Sequence, residues 1–101
     1  MEICVEIWKY VLGPELGEKR IEMPSGSKLL NVQLQSGVPV LWALCDRSQP
    51  VVIRKVYAYV TGDAMVRQWP YLGTVQIAEW VSHYFDHGET VADPPACDPD
   101  A

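Results

Sequence analysis

Several things are scarce in this 101-residue chain. It has one phenylalanine, two histidines and three cysteines. It has no apolar run of about 18 residues, the length that a helix needs to cross a bilayer, so no helical membrane span is expected. The opening residues, MEICVEIWKY, carry Glu2 and Glu6 and no basic cluster, so no secretory leader is expected. Cys4, Cys45 and Cys97 form no Cys-x-x-Cys pair. That argues against a disulfide framework or a zinc ribbon and fits reduced thiols in the cytoplasm. Positive charge is not in surplus either. The net charge is −5, so nucleic-acid binding through a basic face is not expected. No P-loop, G-x-G-x-x-G or G-x-S-x-G stretch occurs, and no cofactor is expected.

What remains is apolar and rich in aromatic residues. Hydrophobic residues make up 49% of the chain, with four tryptophans and five tyrosines. This is enough for one domain with one core. The charge imbalance has a location. From Asp86 onward there are five acids (Asp86, Glu89, Asp93, Asp98 and Asp100) and no lysine or arginine, whereas eight acids balance eight bases before that point. The expected division is a β-rich domain over 1–88 and a Pro/Asp-rich acidic tail over 89–101, disordered on its own and able to speed encounter with a basic partner.

Strand signals dominate the body. Trp8, Tyr10 and Leu12 take one parity of the first strand, and Ile3, Val5 and Ile7 the other. In KRIEMP, Ile21 and Met23 face one way and Arg20 and Glu22 the other. In KLLNVQLQ, alternation predicts Leu30, Val32 and Leu34 inward, with Asn31, Gln33 and Gln35 outward. Ser36 and Gly37 predict a hairpin turn into Val40–Cys45, which is apolar at every position and suits a central strand buried on both faces. VVIRKVYAYV is a further strand, and DAMVRQWPYLG is irregular around Pro70. Cys4 and Cys45 lie in apolar runs and are expected as small buried hydrophobes, Cys97 as an exposed thiol.

The stretch EWVSHYFDHGE holds both histidines four residues apart. As a helix capped by Thr74 and ended by Gly88, it would align Ile77, Trp80, Val81, Tyr84 and Phe85 as an apolar stripe, with His83 and His87 one turn apart. As a strand, it would put Val81, His83, Phe85 and His87 on one face and Trp80, Ser82, Tyr84 and Asp86 on the other. The histidines would then be roughly 13 Å apart, too far to share a zinc ion. Even as a helix they make half a site, so no metal is expected. Cys45 with His83 is the one nucleophile–base pairing to consider. The apolar surroundings of Cys45 favour an inert core thiol.

The order Ile7–Tyr10 (IWKY), Met23–Gly26 (MPSG), Val32–Gln35 (VQLQ), Leu41–Leu44 (LWAL), Thr61–Gly62, Gly73–Gln76 (GTVQ) and His83–Phe85 (HYF) resembles a family of small tailed-phage and prophage proteins. The likeness spans about residues 5 to 86. In that family a glycine-rich link follows the Gly-Thr-Val-Gln block, which implies a strand there; IAEW stands in its place here. The resemblance implies a phage accessory protein without catalytic residues. By analogy with other such proteins, it would block a host defence system, CRISPR included, by binding a host protein component.

The fold expected is a twisted antiparallel sheet of six or seven strands curling into a small barrel or sandwich, with at most one short helix near the end. Arg67, Trp69, Tyr71, Trp80, Tyr84 and Asp86 are the candidate partner-binding residues. Tryptophans near an arginine around an irregular segment are typical of contact surfaces; the alternative is that they cap one end of the fold. Uncovered β edges also suggest a homodimer. The alternative function is a phage assembly or small-ligand-binding module.

Overall fold

A computed structural model describes residues 4–90. Seven strands follow one another: β1 (Glu6–Val11), β2 (Gly17–Pro24), β3 (Lys28–Gln35), β4 (Val38–Cys45), β5 (Val51–Val60), β6 (Tyr71–Ile77) and β7 (Trp80–Thr90). Among the described residues there is no helix, and so none long and apolar enough to cross a membrane. The strands form two antiparallel sheets, a three-stranded sheet A in the order β1-β4-β3 and a four-stranded sheet B in the order β2-β5-β7-β6. The architecture is a sandwich rather than a closed barrel.

Strand composition explains the elements. β4 and β5 are runs of β-branched and aromatic residues that sit at interior positions of their sheets. The two joins between consecutive strands that pair directly, β3–β4 and β6–β7, are two-residue hairpins. In the β3–β4 turn both Ser36 (φ 53°) and Gly37 (φ 79°) are left-handed, the geometry whose twist matches that of the flanking strands. In the β6–β7 turn the left-handed residue is Ala78 (φ 55°), a conformation that a Cβ disfavours.

Side chains directly opposite one another on paired strands share a face. Sheet A therefore turns Trp8, Tyr10, Leu29, Val32, Leu41, Ala43 and Cys45 inward, and sheet B turns Ile21, Met23, Val56, Ala58, Val75 and Tyr84 inward. Tyr84 is the largest fully buried side chain, at 1% exposure. Burying such a ring stabilises by about 2–3 kcal/mol. At the β3/β6 corner the sheets nearly touch: a Cβ placed on Gly73 would lie 2.5 Å from the Val32 carbonyl oxygen. Glycine is required there by backbone-to-backbone approach.

The strand reading of β7 holds, with the parity expected from the sequence. Three other expectations are corrected. A bulge in β3 between Leu29 and Asn31 shifts the phase, so Leu29 enters the core while Leu30 is exposed. Leu34 keeps the expected inward parity, opposite Pro39, but is 39% exposed rather than inside. Cys4 lies at the surface, whereas Cys45 is buried as expected. β7 continues through Glu89 and Thr90, two residues past the expected domain boundary. Cys97 and the rest of the tail lie outside the described residues.

Candidate functional site

The six candidate contact residues do not form one surface. They fall in three places.

Tyr84 and Asp86 are interior. Asp86 accepts two bonds from Arg54, Nε to Oδ1 at 3.0 Å and a terminal nitrogen to Oδ2 at 2.8 Å, and Arg54 also donates to the Ser27 carbonyl at 2.7 Å. Both side chains are 12% exposed. Burial alone would raise the Asp86 carboxyl, but the Arg54 bonds and the Gly88 amide outweigh it and hold the acid below the usual carboxylate range. Glu89 continues this network, accepting from the Ser25 hydroxyl at 3.0 Å and the Gly26 amide at 3.1 Å. The cluster ties β5 and β7 to the β2–β3 turn. It is structural, and it removes Asp86 from any contact surface.

Arg67, Trp69 and Tyr71 lie on or beside the outer face of sheet B, among Tyr57, Tyr59, Phe85 and His87. The Arg67 guanidinium stands 3.9 Å from the Trp69 ring centroid, and the His87 ring stacks on Trp69 at 4.2 Å. Two groups so close to one centroid overlap unless they take opposite faces of the ring, so both faces of Trp69 are occupied. His87 stacks in turn against Tyr57 at 5.2 Å, while Tyr71 packs on Phe85 and Phe85 on Tyr59. A β-bulge makes this possible: Lys55 and Val56 pair with Gly88 and Asp86, leaving His87 as the extra residue. The Trp69 Nε1–H is buried and reaches no acceptor among the described residues. Trp69 is thus an internal stacking element rather than an open platform.

The histidines on this face are engaged separately. His87 Nε2 lies 2.8 Å from the Tyr59 hydroxyl. Burial lowers the imidazole pKa and raises that of the Tyr59 phenol, so both partners of this bond favour their neutral forms. His83 has Thr61 Oγ1 at 2.8 Å from Nε2 and Thr74 Oγ1 at 3.0 Å from Nδ1. No three His, Cys, Asp or Glu side chains among the described residues converge on a point where a metal could sit. Cys45 faces the interior from sheet A, beside the Tyr10 hydroxyl at 3.8 Å. His83 lies on the far outer face of sheet B, so the two form no nucleophile–base pair.

Trp80 is the third place. It follows the strained Ala78 turn and is 69% exposed. Beside it lies an apolar cleft of about 340 Å³ lined by Pro14, Leu16, Val60, Ile77, Trp80 and Ser82. The floor is the inner face of sheet B near the β6–β7 hairpin, and the β1–β2 connection forms the other wall. Leu16, itself half exposed, projects from the Gly/Pro turn GPELGE. Sequence reasoning found Trp80 but missed the other five. The available signal was a lone leucine in a turn otherwise built of glycine, proline and glutamate.

Residues 5–93 match the family model described as a domain of unknown function (DUF7352), and the chain belongs to that family. No curated protein and no solved structure matches it.

Proposed function

We propose that this member of a family without an assigned activity is a non-enzymatic binding protein that engages a host protein through the Trp80 cleft. One observation carries the reading. A tryptophan 69% exposed stands on the rim of an apolar cleft, whereas Tyr84 and Asp86 are interior and Trp69 is stacked between Arg67 and His87. Exposed tryptophans beside apolar pockets are the usual anchors of protein contacts. The sequence resemblance to phage proteins suggests the kind of partner: a component of a host defence complex, with inhibition by occupancy. The non-enzymatic part of the reading rests on the sequence resemblance and on the buried Cys45 thiol, which faces away from both histidines.

The test is capture from host lysate, read against an infection assay. The proposal expects a defence effector retained by the wild-type chain and lost with Trp80→Ala or Leu16→Asp, while both variants remain folded. Capture that is unaffected by either change would exclude the cleft.

The cleft's volume favours a second reading. About 340 Å³ falls within the size of pockets that hold small ligands, with Ser82 as the polar group on an apolar wall. A small apolar molecule retained through purification and seen by native mass spectrometry would favour that reading.

A further inference from the structure

The four sheet edges of this sandwich are not equally protected. β3 and β6 meet at the Gly73–Val32 corner, so each shields the other. β2 carries Glu18, Lys19, Arg20 and Glu22 along its length, the charged dressing that discourages strand pairing. β1, with the sequence EIWKYV, has no proline, no bulge and no neighbour on its outer side among the described residues. Its Ile7 and Val11 are each 66% exposed.

The register shows which backbone groups are free. The Leu12 amide donates to the Pro39 carbonyl, and Leu12 opposite Pro39 continues the β1–β4 register in which Val11 faces Val40. Bonded and non-bonded pairs alternate in an antiparallel ladder. Glu6, Trp8 and Tyr10 therefore direct their main-chain groups at β4, whereas Ile7, Lys9 and Val11 direct theirs outward.

We infer that the β1 edge is a self-association site, where a second copy of this chain adds its own β1 antiparallel to form one continuous six-stranded sheet. The occupant follows from the symmetry of the strand. A two-fold axis perpendicular to the sheet keeps inner faces on one side, so facing residues must share parity. Free groups then meet free groups, because Ile7, Lys9 and Val11 share parity and so do the two interior-facing aromatics. Centring the axis on Trp8 places Ile7 opposite Lys9 of the other copy and Val5 opposite Val11. Centring it on Lys9 would oppose two like charges, which disfavours that register. Val11, bare on the outer face, gains Val5 as an apolar neighbour across the axis, and Ile7 lies against the aliphatic stem of Lys9. Main-chain bonds supply affinity in such strand addition. The inference is independent of the cleft, none of whose lining residues lies on β1.

Analytical ultracentrifugation over roughly 1 to 100 µM, which spans the range of a modest interface, tests the association. Amide exchange by NMR tests its place. The expected result is a mass that doubles as concentration rises, with the Ile7, Lys9 and Val11 amides becoming protected in step. Trp8 and Tyr10 should be protected throughout. The double variant Ile7→Lys/Val11→Lys, which dresses the edge with charge at exposed positions, should remain monomeric. Val66→Lys on the irregular segment should dimerise like the wild type. A monomer at every concentration overturns the inference. So does a dimer that survives the double variant, or one whose Ile7, Lys9 and Val11 amides exchange freely. The amide measurement uses the wild-type chain and so does not depend on the variant folding.

Discussion

The two sheets finish their outer faces in opposite ways. On sheet B the rings of Tyr57, Tyr59, Trp69, Tyr71, Phe85 and His87 pack on one another, with the Tyr59 hydroxyl on His87, the Tyr71 hydroxyl on Thr74 and the Arg67 guanidinium over Trp69. On sheet A the outer face holds the bare Ile7 and Val11 of the edge strand, beside the buried Val40 and the partly buried Trp42 and Leu44 of β4. A single Lys9–Gln35 bond of 2.9 Å spans from β1 to β3. It crosses β4 at Val40, which accounts for the burial of an outward-facing residue at 2% exposure. Aromatic content therefore marks the internally satisfied face, and aliphatic residues mark the open one. A surface rich in rings is a contact surface only if the ring faces are free.

The comparison can be broken at several points. The largest effect is expected at the ion pair beneath sheet B. Arg54→Ala leaves Asp86 buried without its partner and should cost about 3–5 kcal/mol, measured by urea unfolding. Gly73→Ala forces a methyl group into the Val32 backbone and should cost about 2–3 kcal/mol by the same assay. A smaller effect is expected from pH. His87 has a depressed pKa in the folded protein, so the unfolded chain binds the proton first. Stability should be level above the ordinary imidazole range, fall as pH drops through about 6.5 towards the lowered folded value, and flatten below it. His87→Phe should abolish that dependence in melting curves taken across the range. The smallest effect is at the strained turn: Ala78→Gly should gain up to about 1 kcal/mol without altering the cleft.

Much of the fold was legible in the sequence, for a physical reason. Period-two alternation in β2 and β7 survives because those faces are buried, and a one-residue slip would turn every side chain over. The β3 phase was misread because an extra residue at Leu30 creates a bulge, and nothing local in KLLNVQLQ marks it. The candidate site was half legible. Trp80 is at the surface, but Tyr84 and Asp86 are inside, since alternation says that they share a face without saying which face is covered. The closure of Trp69 between Arg67 and His87 depends on His87, eighteen residues beyond Trp69, through a bulge that exposes no signal of its own. Leu16 enters the cleft only because the β1–β2 connection crosses between the sheets.

The central claim is that Trp69 holds the molecule together while Trp80 is free to hold something else. Equilibrium denaturation of Trp69→Ala and Trp80→Ala side by side tests this directly. The account predicts a loss of about 2–4 kcal/mol for Trp69→Ala, smaller for Trp69→Phe because a ring is kept between Arg67 and His87. It predicts less than about 1 kcal/mol for Trp80→Ala. The opposite order, with Trp80→Ala the more damaging change, would contradict it.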